Sequence, residues 1–163
     1  MRKSISSFSF EDVWHNKSPA LKREIIAFWE VEGVLTDEER MRRVDEVVFV
    51  ARYEGKVVGL STVFRYYLEQ LENHLYVYRC LISEDYRGPA VDTQLILHTR
   101  NMLELYEKTA QAPKCIGLLM VIQNEYIKKE WRWAVWAGTD MMYIGETSKG
   151  DHLRVYYFDG ARI

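Results

Sequence analysis

Near the middle of the chain, a strand pattern, a long helical pattern and a second strand pattern follow one another, and this order most constrains the fold. Residues 75–82 form an apolar run that predicts a strand, and residues 91–108 repeat apolar positions at helical spacing. Residues 115–122 are continuously apolar, which predicts a strand covered on both faces. Strands joined through a helix usually lie parallel as a right-handed crossover, so the chain must contain a sheet with helices packed on it.

The rest of the chain supplies further strands and helices around this unit. Ser18-Pro19 is typical of a helix start, and Thr36 with Glu39 forms a capping box. Two β-branched runs flank a Glu-Gly turn and predict a hairpin over residues 47–64. Further elements are a strand at residues 5–10, a helix at 125–137 and strands at 141–145 and 153–158. We predict a single α/β domain over residues 1–163, with a mixed, mostly antiparallel sheet flanked by helices.

Composition limits the classes of function. The chain has 163 residues and a net charge of −2, so no basic excess points to nucleic acid or to an anionic membrane. Its two cysteines, Cys80 and Cys115, favour a reducing compartment, and no ligand spacing predicts a metal site. No apolar run approaches the ~20 residues of a spanning helix. Without a secretory pattern at the N-terminus either, we expect a cytoplasmic protein.

The turn between the first strand and the long helix has the chemistry of an anion site. It reads Tyr-Arg-Gly-Pro-Ala-Val-Asp-Thr over residues 86–93. The first turn of a helix has free N–H groups, and the helix dipole adds partial positive charge there. An Arg-Gly turn that enters a helix from a strand therefore predicts binding of a phosphate-like group.

Three stretches together resemble the GNAT superfamily of acyl-CoA-dependent N-acyltransferases. Residues 51–59 look like the second and third strands of that family, and residues 82–88 look like the end of its fourth strand with its pyrophosphate loop. The strand at residues 115–122, followed by Asn124 and a helix, looks like its fifth strand. The element order fits nearly the whole chain, whereas the motifs fit best over residues 47–95.

The resemblance implies acetyl-CoA as the co-substrate and assigns residues to it. Arg87 would pair with phosphate, although a solvated arginine at a turn is the plainer interpretation. Backbone groups at the end of the fourth strand would pair with the pantetheine arm, and Asn124 would contact the cofactor or simply cap a helix. The implied cofactor-binding residues are Leu81, Ile82, Arg87, Gly88, Ala90, Val91, Thr93 and Asn124.

The loop also departs from the family pattern, which places glycine at the position of Ala90 and glycine or alanine at the position of Asp92. Pro89 has no N–H to donate, and the methyl group of Ala90 stands where backbone would approach phosphate. The carboxylate of Asp92 would repel a diphosphate by several kcal/mol at close range. Asp92 therefore has two interpretations: it occupies the anion site itself as a helix-start acid, or it points away and leaves the loop usable.

Candidate catalytic groups lie on the strand before this loop. His74, Tyr76 and Tyr78 share one face by the two-residue period of a strand, and the resemblance implies a general base there. The family often has a tyrosine acid on the helix after the fifth strand, but residues 130–134 contain no tyrosine and Tyr126 comes too early.

The expected function is acyl transfer from acetyl-CoA to a primary amine by direct attack in a ternary complex. The alternative is a GNAT-shaped interaction protein that has lost its cofactor chemistry, which the altered loop and missing tyrosine favour. The sequence does not identify the amine acceptor. The aromatic residues also leave a homodimer open.

Overall fold

Eight strands and four α-helices are found in the computed structural model, which describes residues 3–163 except for the side chain of Pro89. The strands are β1 (Phe8–Asp12), β2 (Val47–Tyr53), β3 (Lys56–Leu68), β4 (Asn73–Ile82), β5 (Gly117–Ile122), β6 (Val135–Trp136), β7 (Met141–Glu146) and β8 (His152–Tyr157). The helices are α1 (Pro19–Val31), α2 (Asp37–Arg43), α3 (Pro89–Glu107) and α4 (Glu125–Glu130).

The strands form one sheet in the order β1-β2-β3-β4-β5-β8-β7-β6. Strands β4 and β5 pair in parallel, whereas the pairs β1–β2, β2–β3, β5–β8, β7–β8 and β6–β7 are antiparallel. The mixed, mostly antiparallel α/β fold predicted from the sequence is thereby confirmed, including the parallel pairing of the two strands around α3.

The local signals at the first two helices and the hairpin are also confirmed. Ser18 caps α1 by accepting from the Leu21 N–H, and both hydrogen bonds of the Thr36 capping box are present. The β2–β3 turn places Glu54 and Gly55 at φ values of +49° and +80°. Positive φ at both turn positions matches the twist of a two-residue hairpin, which explains why a Glu-Gly pair marks it. The first strand begins at Phe8, because Ile5–Ser7 forms a 3₁₀ turn.

Packing divides the chain into two compact units, and the single-domain organisation stays a prediction. The first unit comprises the chain up to Val63 together with Arg79–Thr99. In its core, the buried face of α1 packs against both strands of the β2–β3 hairpin. The residues in contact are Ile25, Phe28, Trp29, Val47, Val50 and Leu60. The apolar spacing of α1 explains this core, because residues three and four apart share one helix face.

The second unit comprises Phe64–Tyr78 and Arg100–Ile163. Its core is formed by strand residues: Leu68, Leu75, Val77, Leu119, Leu153 and Val155. Strands β5 and β8 approach closely at Gly117, where an added Cβ would lie 2.2 Å from the Tyr156 carbonyl oxygen. This position therefore requires glycine.

The helix expected over residues 125–137 is much shorter in the structure. Helix α4 ends at Glu130, residues 131–134 are irregular, and Val135–Trp136 forms the strand β6. Gly138, at φ +85°, lies in the turn between β6 and β7 and does not end a helix. Trp133 and Trp136, which a helix over residues 125–137 would place on one face, therefore lie outside any helix. Pairing of β6 with β7 outweighs the helical pattern, as tertiary contacts often do.

Candidate active site

The end of β4 leads directly into the start of α3. A 3₁₀ turn, Glu84–Tyr86, follows the strand, and α3 begins at Pro89 after two intervening residues. The Arg87 Nε donates to the Ile82 carbonyl oxygen at 3.0 Å, and the Ser83 N–H donates to the Val58 carbonyl oxygen at 2.9 Å. These bonds fix the turn against the strand end, and Arg87 stays exposed.

Tight packing of β3 holds the same strand end. A Cβ added at Gly59 would lie 3.2 Å from both the Leu81 carbonyl oxygen and the Ile82 Cγ1. A methyl group at this position would therefore press on the Leu81 carbonyl oxygen and on the Ile82 side chain, two residues that the sequence assigned to cofactor binding.

At the start of α3, the carboxylate of Asp92 binds the helix's own backbone. Its Oδ1 accepts from the Thr93 N–H at 2.7 Å, and Asp92 is half-buried. Burial raises the pKa of this carboxyl group, and hydrogen bonds from the Thr93 and Asp92 backbone oppose the rise. The Asp92 carboxylate thus has a backbone partner within α3, close to the helix start that the sequence predicted to hold a phosphate.

The pairing of β4 with β5 covers only part of β4. The registers pair Tyr76 with Leu118, Val77 with Leu119 and Tyr78 with Met120. Strand β4 continues beyond Tyr78 to Ile82, and these residues belong to the first unit. The part of β4 that continues contains Leu81 and Ile82, whose backbone the sequence assigned to the pantetheine arm.

The three candidate catalytic residues lie in the second unit with different surroundings. Tyr76 is buried, and its hydroxyl donates to Glu107 Oε1 at 2.7 Å. Burial, followed by this contact with Glu107, raises the pKa of Tyr76, so its proton is held firmly near neutral pH. Tyr78 is also buried, whereas His74 is half-buried and packs edge-on against the Tyr67 ring at 5.1 Å.

Asn124 lies at the start of α4, in the second unit. Its Oδ1 accepts from the Ile127 N–H at 3.1 Å, which makes it the N-cap of that helix. The assigned residues Leu81, Ile82, Arg87, Gly88, Ala90, Val91 and Thr93 all lie in the first unit, so the structure brings them together apart from Asn124. The cofactor and catalytic roles of all these residues stay predictions.

Sequence reasoning missed several polar residues near the end of β4. The Ser83 hydroxyl donates to Glu32 Oε1 at 2.5 Å, which places a carboxylate from the end of α1 beside the strand end. Arg43 and Arg79 line a cavity in the same unit. No local pattern marks these residues, because each becomes significant only through contacts distant in sequence.

Metal and membrane features can be stated for the described residues. Between residues 3 and 163, no three or more His, Cys, Asp and Glu side chains are grouped so as to hold a metal ion. Within the same range, no helix has the length and apolar character needed to cross a membrane.

A family model described as the acetyltransferase (GNAT) family matches residues 10–115. None of the curated proteins matches the chain. Among solved structures, the ribosomal-protein-S5-alanine acetyltransferase from Vibrio fischeri is 11% identical with a TM-score of 0.65, and the match covers 96% of each chain.

Two further solved structures have the same fold. A GNAT-family acetyltransferase from Streptococcus pneumoniae is 11% identical over 93% of this chain and 99% of its own, with a TM-score of 0.57. AtaTR bound with acetyl-CoA is 12% identical over 94% of this chain and 95% of its own, with a TM-score of 0.62. At these identities the likeness concerns the fold.

Proposed function

Because the chain belongs to the GNAT acetyltransferase family, we propose that it transfers an acetyl group from acetyl-CoA to a primary amine. The end of β4 is the observation that carries this proposal. Residues 79–82 follow the last β4 residue that pairs with β5, so their backbone can receive an extended ligand as an added strand. Arg87, exposed and fixed at the turn that follows, would pair with the diphosphate.

The reaction requires direct attack by the amine. The nitrogen lone pair adds to the thioester carbonyl carbon, the N–C bond forms, and the C–S bond then breaks to release the CoA thiolate. A backbone N–H of residues 79–82 would stabilise the negative charge that develops on the carbonyl oxygen. An ammonium acceptor must first lose a proton, and the thiolate must gain one.

Burial, hydrogen bonding and position along β4 distinguish the candidates for the general acid and the general base. Tyr76 is a poor base because burial and Glu107 raise the pKa of its hydroxyl. Of the three β4 candidates, Tyr78 lies nearest along the strand to residues 79–82, and we assign to it the proton for the thiolate. Glu32, held beside the strand end by Ser83, is the carboxylate we assign to the ammonium proton.

Replacing Glu32 tests this assignment. The Glu32→Gln variant should lower kcat by about a hundredfold at neutral pH, the lower range for loss of a general base. The rate should recover as the pH rises, because the free amine no longer needs a base. A rate that changes by the same factor at every pH would leave Glu32 with a structural role only.

One observation favours a second function, an interaction protein without acetyl-CoA chemistry. The Asp92 carboxylate already accepts from the Thr93 N–H, where a diphosphate would bind. If this carboxylate excludes the cofactor, the family fold persists as a scaffold and the acyl transfer is lost.

Calorimetric titration with acetyl-CoA distinguishes the two functions. The proposed enzyme should bind saturably, and Asp92→Asn should bind about tenfold more tightly because a nearby like charge is removed. Asp85→Asn is the matched control, since Asp85 is an exposed acid in the preceding turn and should change affinity less.

Each titration outcome decides between these functions. Binding by the parent chain, together with release of free thiol when amines are supplied, supports the transferase. Binding by Asp92→Asn alone identifies an excluded cofactor and supports the interaction protein. Absence of binding in both proteins rejects acetyl transfer.

A further inference from the structure

A small cavity in the first unit combines apolar walls with two arginines. Its volume is about 170 Å³. Its apolar lining includes Trp29, Leu35, Leu60 and Leu81, and its cationic lining consists of Arg43 and Arg79. A cavity of this size limits any occupant to a small molecule or a single side chain.

The arginines place positive charge in the wall of the cavity. None of the described residues that line it is acidic. Arg79 forms an ion pair with Glu46, which lies outside the lining. Burial first, and repulsion between the Arg79 and Arg43 guanidinium groups second, lower the pKa of Arg79, and the ion pair with Glu46 opposes this fall. An anion between them would relieve that repulsion.

Arg43 is only loosely matched within the protein. Its Nη2 lies 3.7 Å from Glu39 Oε1, and Glu39 is also engaged by the Thr36 N–H at 2.8 Å in the capping box. Its Nε is buried with no hydrogen-bond acceptor among the described residues. A buried donor without an acceptor is costly, so a ligand carboxylate that allows the guanidinium to re-pair would be favoured.

We propose that this cavity binds the acetyl acceptor, and that the acceptor is a small amine carrying a carboxylate and an apolar side chain, as in a free apolar amino acid. The proposal rests on the proposed acetyl transfer for the fate of the amine. The carboxylate would lie against Arg43 and Arg79, and the side chain against Trp29 and Leu60.

The position of Leu81 links the cavity to the reaction. Leu81 lines the cavity and also belongs to the end of β4, where the thioester is proposed to lie. An amine one carbon from a carboxylate held in this cavity is thus directed toward that strand end. Polyamines and other polycationic acceptors are disfavoured, because two guanidinium groups would repel them.

Three ligands separate binding from catalysis. L-leucine carries the amine and the carboxylate, L-leucinamide lacks the carboxylate, and 4-methylpentanoate lacks the amine and cannot be acetylated. Binding is measured by calorimetry with the full chain, and transfer is measured separately as thiol release from acetyl-CoA. We expect leucine and 4-methylpentanoate to bind saturably and leucinamide to bind at least about tenfold more weakly, the loss of one charge-assisted contact.

Variants assign the binding to the cavity. Arg43→Gln should weaken leucine binding by about tenfold. Lys22→Gln removes an exposed positive charge in the same unit and should leave binding unchanged. Cys80→Phe fills the cavity from its exposed side and should abolish binding while the circular dichroism spectrum stays that of the parent chain.

Several outcomes would overturn the proposal. Equal affinity for leucine and leucinamide would remove the carboxylate from recognition, and absence of binding by all three ligands would remove the site. Leucine binding that survives Cys80→Phe in a folded protein would place the ligand elsewhere. If 4-methylpentanoate binds and responds to Arg43→Gln while no thiol is released, the cavity assignment stands and the acetyl transfer fails.

Discussion

The two units differ in what surrounds their most buried arginine side chains. In the second unit, Arg154 is only 1% exposed, and its guanidinium donates to the Trp131 carbonyl oxygen at 3.1 Å and the Met141 carbonyl oxygen at 3.4 Å. It also lies over the Trp136 ring at 4.2 Å. In the first unit, the Arg79 side chain keeps 33% of its surface exposed, pairs with Glu46 and borders a cavity.

The difference separates structural charge from charge that can recognise a ligand. Arg154 contacts carbonyl oxygens and aromatic faces of its own unit, although its Nε, like that of Arg43, is buried with no acceptor among the described residues. These contacts join the irregular residues after α4 to β7 and β8. Arg79 and Arg43 are each paired with a glutamate, and both also border empty volume. A buried cation that the protein surrounds completely supports the fold, whereas one beside a cavity is available to bind.

The largest test of this contrast removes the enclosed cation. Arg154→Ala should destabilise the protein by about 3–5 kcal/mol, because it leaves a cavity and two carbonyl oxygens without their donor. Urea denaturation followed by circular dichroism measures the change. Arg132→Ala, at an exposed arginine of the same unit, should stay within about 0.5 kcal/mol. A similarly small loss of unfolding free energy for Arg154→Ala would show that the buried contacts of Arg154 do not stabilise the fold.

The next test breaks the ion pair in the first unit. Arg79→Gln should cost about 1–3 kcal/mol, because Glu46 keeps a partly buried charge without its partner. Adding Glu46→Gln should recover part of that loss, and the double-mutant cycle gives the interaction free energy between Arg79 and Glu46. If the two effects simply add, the pair contributes nothing, and the contrast with Arg154 must be explained by packing alone.

A buried anion extends the comparison through its pH dependence. Burial raises the pKa of Asp92, so ionisation costs more in the folded chain than in the unfolded chain. Its stabilising contribution is full below the ordinary value of 3.8 and is lost as the pH rises through the raised folded value.

The Asp92→Asn side chain does not ionise, so the variant does not lose stability as the pH rises. It should be more stable than the parent chain at neutral pH, by about 0.5–1 kcal/mol. The gap should close in acid, and urea denaturation across a pH series measures it. A parent chain that is the more stable at neutral pH would mean that the helix dipole outweighs burial.

The smallest expected effect belongs to an exposed cation. Lys22 Nζ lies 2.7 Å from Asp45 Oδ1, with the two side chains 40% and 69% exposed. Lys22→Gln should therefore change the unfolding free energy by less than about 0.5 kcal/mol. A larger loss of unfolding free energy, measured in the same denaturation series, would show that side-chain exposure does not determine how much each cation stabilises the fold.

Local signals predicted most of the fold. The hairpin depends on a turn that its two residues specify, and the capping box of α2 depends on a pair three residues apart. The β4–α3–β5 crossover follows from apolar runs and helical spacing. Each of these elements is decided by residues close together in the chain.

The failures lie where distant residues decide. Residues 131–134 leave the helical pattern while Arg154 binds the Trp131 carbonyl oxygen and β7 pairs with β6. The candidate site divides in the same way. The turn containing Arg87 and Asp92 could be read from the sequence, whereas Glu32 beside Ser83 and the two arginines of the cavity required the fold.

The two cysteines differ in solvent exposure and therefore in their expected reactivity. Cys80 is exposed and lines the arginine cavity, whereas Cys115 is buried, which raises the pKa of its thiol to about 11. A maleimide dye at limiting concentration should therefore label Cys80 alone, since reactivity follows thiolate formation and access. Because a dye on Cys80 would fill the cavity as Cys80→Phe does, labelling should block ligand binding, and a bound ligand should slow labelling.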